Sequence, residues 1–431
     1  MAIPPSDAPG ARTDDSDAAS LAPAEIARVQ RRSVWVLSIG QILGGLAFGA
    51  TLSLGAVLAA EISGDEAFSG LAAAGVTLGT AALAVPLASF ARRRGRRVSL
   101  ATGMAIALVG VVLVMVAVAM TSFPLLLAAF ALVGAGQAAN LQTRFAAADL
   151  ATDATRGRDL SIVVWATTIG AVLGPNLTGP GEALGQAVGM PALTGPYLIT
   201  VVAQLLGIAL YLIALRPDPL LLAQRVVAAA KTATTAIAKP DDPIVARYAI
   251  FAVAAAHGVM VSVMAMTPVH LLHHGASLSI IGLTISLHIA GMYALSPVFG
   301  ILADRVGRVP TILVGQALLV GALLTASFGA ESSGVVTVAL VLLGLGWSAT
   351  TVAGSTLLTE ASSEEQRTRR QGLSDLIMSL VGAAGAILAG LVLAWIGYGG
   401  LALAVGVLVI ATVVLAPFGR RGRVVAAATP G

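Results

Sequence analysis

Long apolar runs separated by short polar breaks fill the chain from residue 33 to residue 418. Twelve such runs lie at roughly 33–60, 67–91, 98–120, 123–148, 159–181, 193–215, 246–272, 278–303, 310–329, 334–359, 372–395 and 399–418. A helix crosses a bilayer with about 20 mostly apolar residues. The runs are continuous rather than alternating, which excludes the strands of a membrane barrel. The pattern therefore predicts an all-α polytopic membrane protein with twelve transmembrane helices. The polar stretch 1–32, rich in proline and aspartate, is expected to be a disordered cytoplasmic tail. It lacks the basic start and short apolar core of a secretory signal. Residues 216–245, with Arg225, Lys231 and Lys239 among alanines and leucines, read as a cytoplasmic linker compatible with a helix lying on the lipid surface. Residues 419–431 read as a second cytoplasmic tail.

Composition agrees. The chain is 57% hydrophobic and 11% charged, against about 25% charged in soluble domains. It has no cysteine, which excludes disulfides, thiolate metal sites and thiol catalysis. All 25 lysines and arginines fall in the two tails or around alternate connections. The opposite side carries Glu61, Asp65, Glu66, Glu182 and Glu331. The positive-inside rule then places both termini in the cytoplasm, in a plasma membrane.

The chain also repeats once. Leu132–Gly136 matches Leu342–Gly346 at an offset of 210, and Asp149 and Arg156 match Glu360 and Arg367 at 211. The turn Arg92–Arg96 matches Asp304–Arg308 at 212. Two six-helix halves follow, over 33–215 and 246–418.

The stretch Ser296–Arg308 reads SPVFGILADRVGR. Its Gly300, Leu302, Ala303, Asp304, Arg305, Gly307 and Arg308 resemble the signature loop of the major facilitator superfamily. That resemblance implies parallel halves around a central path and alternating access by rocking. It also implies a conformational latch of Gly300, Asp304, Arg305, Gly307, Arg308, Asp149 and Arg367. In it Asp304 faces the start of the fifth run near Gly157–Leu160, with Arg367 close by. The first-half copy departs from the motif: Ala88 replaces the leading glycine and Arg92 the acid. Two readings stay open for Arg92, Arg93, Arg94, Arg96 and Arg97: topology and lipid-headgroup attraction alone, or a latch rebuilt with Asp149.

In the fifth run, Gly170, Gly174, Pro175, Thr178 and Gly179 resemble the antiporter motif of the superfamily's drug:proton exporters. Ser161 and Thr178 stand where the longer pattern has glycine. Pro175 bends a helix. Gly170 and Gly174 open a groove for a neighbour, with Gly40, Gly44, Gly45 and Gly49 of the first run as the matching face. Gly179 completes the expected helix-packing motif, whose role is either packing alone or a gating seam.

Polar groups inside the runs supply the candidate chemistry. Gln137, Asn140 and Arg144 share one face of the fourth run, lining a cavity or bonding a neighbouring helix. The candidate substrate path is Gln41, Gln137, Asn140, Asn176, His257, His288 and Tyr293. His257 and His288 lie near mid-depth, either as neutral interhelical hydrogen-bonding groups or as carriers of a coupling proton. They join Glu61 and Asp375 as coupling candidates. His270, His273 and His274 have helical spacing but no cysteine or nearby carboxylate to complete a metal site, so no metal or cofactor is expected.

Without a phosphate-binding G-x-x-x-x-G-K-[ST] loop, ATP is excluded as energy source, and nothing suggests an enzyme. The basic groups are spread over separate loops, which argues against nucleic acid as a partner. The expected partners are a small-molecule substrate, protons and the bilayer, for a monomer. Proton-coupled efflux of a small, partly apolar compound is the first reading, nutrient or metabolite uptake by a symporter or facilitator the second, and a non-transporting membrane sensor or scaffold a distant third.

Overall fold

The computed structural model describes residues 22–65, 68, 70–233 and 241–423. Its elements in chain order are α1 (Pro23–Ser63), α2 (Gly70–Ala119), α3 (Phe123–Ala146), α4 (Arg156–Asn176), α5 (Thr178–Ala187), α6 (Gly195–Ala214), α7 (Pro219–Ala233), α8 (Pro243–His273), α9 (Leu278–Tyr293), α10 (Ser296–Val306), α11 (Arg308–Phe328), α12 (Ser333–Ala361) and α13 (Glu364–Val414), then a 3-10 turn over Ala416–Arg423. No strand occurs among the described residues. Eight of the described helical stretches are long and apolar enough to cross a membrane. Two helices hold a break: Gly95 in α2 (φ 86°, ψ 167°) and Gly397 in α13 (φ 69°, ψ 179°). A left-handed φ is cheap only for glycine, so each long helix turns back at its glycine. The outer surface carries exposed Leu206, Ile213, Phe328, Ile387, Trp395 and Ile410, as expected where hydrocarbon rather than water is the solvent.

The repeat seen in the sequence recurs as contacts. A Cβ on Gly134 would sit 2.4 Å from the Val76 carbonyl oxygen and 2.5 Å from the Thr80 nitrogen. A Cβ on Gly344 would sit 2.5 Å from the His288 carbonyl oxygen and 2.9 Å from the Met292 nitrogen. The partners are again 212 residues apart. Both glycines let two backbones touch, the close approach on which helix association in lipid depends.

Three boundaries differ from the sequence expectation. The N-terminal stretch is not polar tail up to residue 32: α1 begins at Pro23, with proline at its start and Glu25 in the first turn. Gln30 anchors this extension, donating to the Ala147 carbonyl at 2.6 Å and to Asp159 at 2.8 Å. The linker helix α7 turns Leu220, Leu222 and Ala223 into the protein rather than onto lipid. Asp218 starts it, accepting from the Leu220 and Leu221 amides. Lys239 lies outside the described residues. The eighth run is interrupted, α9 ending at Tyr293 and α10 starting at Ser296 with Pro297 in its first turn, because proline removes a backbone donor.

Candidate functional site

The end of the bundle that carries the arginines, here the basic end, holds the largest set of polar ties. Asp304 closes α10, and Gly307 (φ 113°) lets the chain reverse into α11 at once. The Asp304 carboxylate faces the N-terminus of α4 and accepts from the Gly157 and Arg158 amides, both at 2.9 Å. An anion there meets unpaired N–H groups and the positive end of the helix dipole. Gly300 permits the approach: a Cβ on it would fall 2.1 Å from Ser161 Oγ and 2.5 Å from the Gly157 carbonyl oxygen. Arg308 ties the corner together, 3.2 Å from Asp304 and 2.6 Å from Glu360, while donating to the Asp153 carbonyl. Arg156 reaches the same Glu360 at 3.2 Å. Arg305 is exposed. Arg367 is not beside Asp304: it pairs with Glu364 at 3.3 Å on its own helix, one turn back.

The first copy of this corner is built differently. Arg96 is fully buried and forks onto Asp149, Nε to Oδ2 at 2.8 Å and Nη2 to Oδ1 at 3.2 Å. The pair stands where Arg308 and Glu360 stand in the second copy. Its Nη2 also donates to Gln371 of α13 at 2.7 Å, across the repeat boundary. The linker adds a tie within the first repeat, since Asp218 Oδ2 accepts from the Arg97 amide at 2.7 Å. Arg92, Arg93 and Arg94 are exposed. The Asp149 reading thus fits Arg96, while these three remain open to headgroups. Asp218 and Gln371 went unnoticed in the sequence because neither belongs to the motif.

Deeper in the same seam, Arg144 of α3 forms a salt bridge with Asp375 of α13. Their exposures are 4% and 0%, so both charges are buried inside the protein. Arg144 reads in sequence as a topology charge at the end of its run; its place on the Gln137–Asn140 stripe was the signal of burial. Gln137 and Asn140 line a small cavity with Gly44, Met104 and Gln204. Gln41 lies beside them in a hydrogen-bonded chain, accepting from Thr143 at 2.6 Å and donating to Thr167 at 2.9 Å.

Across the seam, Trp347 of α12 donates Nε1–H to His257 Nδ1 at 3.1 Å. Tyr293 meets Trp347 edge-on, centroids 5.7 Å apart. Trp347 carries no sequence signal, being a lone tryptophan in an apolar run. His288 stands apart from this group: it is fully buried, its Nδ1 2.7 Å from the Leu340 carbonyl, between α9 and α12. Glu61 is exposed near the opposite end of α1. The Asn176 and Pro175 side chains lie outside the described residues.

The fifth-run motif is met in part. A Cβ on Gly170 would sit 2.7 Å from the Ile42 carbonyl oxygen and 2.8 Å from Gly45 Cα, so α1 and α4 meet through those two glycines. Gly174 is buried. Gly179 is not part of the seam: it is exposed with open space around it. The helix breaks at Leu177, and Gly179 rides on the separate short helix α5. At the far end, His270 lies 2.7 Å from the Ala330 carbonyl and stacks on Tyr398, centroids 4.2 Å apart.

Comparison with known proteins is consistent across the chain. Residues 37–277 and 248–430 match the family model of the Major Facilitator Superfamily. An uncharacterized MFS-type transporter of Bacillus subtilis (strain 168), YdeG, is 36% identical over 386 residues, covering 88% of this chain and 89% of its own. A riboflavin transporter of Brucella anthropi, RfnT, is 27% identical over 365 residues, covering 82% and 86%. Among solved structures, the human organic anion transporter MFSD10 superposes with a TM-score of 0.74 at 17% identity, covering 90% of this chain and 99% of that one.

Proposed function

Because the chain belongs to the major facilitator superfamily and is a secondary transporter, we propose that it moves a small, partly apolar compound across the plasma membrane by alternating access, coupled to protons and in the direction of efflux. In this reading the chain crosses the membrane twelve times, with both termini cytoplasmic and the basic end facing the cytoplasm. The breaks at Gly95 and Gly397 divide α2 and α13 into two crossings each, and α9 with α10 makes one.

The observation that carries the reading is the set of ties at the basic end. Asp304 to α4, Arg96 to Gln371 and Arg144 to Asp375 each join one repeat to the other. In this reading they close the cytoplasmic mouth, and rocking must break them in turn. Asp375 is the preferred coupling group. Adding a proton removes the charge that holds Arg144, and a buried ion pair stripped of one partner is strongly unfavourable. A proton on Asp375 thus trades the closed mouth for the open one. His257, held by Trp347, is taken here as a substrate contact.

The test is flux in proteoliposomes with an imposed pH gradient. Uphill movement into inverted vesicles with an acidic lumen, as protons leave it, supports coupled efflux. Gradient-independent movement in both directions would replace it with facilitated uptake.

A further inference from the structure

The Arg144–Asp375 pair holds a second feature. Arg144 Nε and Asp375 Oδ2 are both buried without a hydrogen-bond partner. One is an unused donor, the other an unused acceptor, and they flank the same salt bridge. Unsatisfied buried polar atoms are rare enough in folded proteins to ask for an explanation. α3 and α13 belong to opposite repeats, so any motion that parts the repeats also parts the pair. Two charges would then be left without their partner, which is costly wherever they stay buried. Arg96 cannot take over Asp375 freely, since it already forks onto Asp149 and holds Gln371.

The ligand that removes this cost carries both signs. Its acidic group accepts from Arg144 while its basic nitrogen donates to Asp375, so the ligand replaces each partner for the other. An anion would leave Asp375 unpaired, and a cation would leave Arg144 unpaired. Gly382, two turns along α13 from Asp375, packs against the His257 ring, a Cβ on it falling 2.8 Å from Nε2, so the aromatic group of His257, Trp347 and Tyr293 lies along the same face of α13 as Asp375. Flat apolar surfaces and cations both find favourable contacts against such rings. We propose that the transported compound is a small zwitterion with a flat apolar body, its acidic group seated on Arg144, its basic nitrogen on Asp375 and its body against Trp347 and Tyr293. The inference rests on the transport reading above and names the substrate class of that same site.

Binding to the purified full chain tests it with three matched probes: phenylalanine, phenethylamine and 3-phenylpropionate. Isothermal titration should find phenylalanine at least about tenfold tighter than either one-charge analogue, one charged contact being worth about that factor. Arg144→Gln should bring phenylalanine down to the level of phenethylamine, and Asp375→Asn down to that of 3-phenylpropionate. If a single variant does not fold, Arg144→Gln/Asp375→Asn leaves no unpaired charge and should bind all three probes alike and weakly. Equal affinity of the wild type for the three probes, binding of none, or 3-phenylpropionate matching phenylalanine would overturn the proposal. Phenylalanine that binds as expected but shows no flux in vesicles would keep the site and remove the transport reading. Flux of another compound without phenylalanine binding would do the reverse.

Discussion

At the residue scale, the ion pairs are where a single atom changes most. Asp304→Asn keeps one acceptor but loses the charge facing the α4 N-terminus. A carboxylate there is worth up to about 2 kcal/mol when partly buried, so the variant should raise cysteine labelling at the basic mouth several-fold. Unchanged labelling would show that Asp304 holds nothing shut. Arg144 and Asp375 should behave as one unit. Arg144→Gln strands a buried carboxylate at a cost of about 3–5 kcal/mol, whereas removing both charges avoids that penalty. Thermal unfolding should therefore find Arg144→Gln/Asp375→Asn more stable than Arg144→Gln. Additive losses would mean that the pair is only a surface contact. Asp304 was legible in the sequence because its motif is local, seven residues within nine positions. The Arg144–Asp375 contact was not, since its members lie 231 residues apart and hydropathy only places each at the edge of its run.

At the element scale, the close seating of α4 on α1 and the tether of the linker carry the predictions. Gly170→Leu would push side-chain atoms into the Ile42 carbonyl and Gly45, where backbone cannot yield. Overpacking of this kind costs about 1–3 kcal/mol. The protein should insert yet lose flux; full flux in reconstituted vesicles would deny the seam a role in switching. The linker ends in a second tether: Asp241 accepts from Arg370 at 2.6 Å and from the Ser363 amide at 2.8 Å. Slight burial raises the Asp241 pKa, but the Ser363 amide and Arg370 outweigh it and set the carboxyl below its ordinary value. A lowered folded pKa gives stability that is present above the unfolded value and is lost as pH falls through the folded one. Asp241→Asn should thus lower the melting temperature at pH 7, by what an exposed pair provides, at most about 1 kcal/mol. The difference should vanish once the pH is well below the carboxylate range; a constant difference would assign it to something other than charge. Run lengths predicted the elements well, because continuous apolarity leaves a membrane chain few choices. They failed at 23–32 and at Leu177, where Gln30 anchors and a helix break outweigh hydropathy.

At the scale of the whole molecule, the repeat was legible from three offsets and is met again in backbone contacts at Gly134 and Gly344. What the offsets could not convey is the asymmetry between the copies. One closes through Asp304 on a helix N-terminus, the other through Arg96 and Gln371. The central claim is that a proton on Asp375 unlocks the basic end. Arg144 is the charge paired with it, while Asp304 and Asp149 hold the neighbouring corners. Spin labels on Arg93→Cys and Arg305→Cys, exposed positions on the two equivalent turns, measure the opening directly in a chain that has no other cysteine. The wild type should show a short inter-label distance at pH 7 and a longer population as the pH falls. Asp375→Asn should show the longer population already at pH 7. A short distance in Asp375→Asn at pH 7, unchanged from the wild type, would contradict the account.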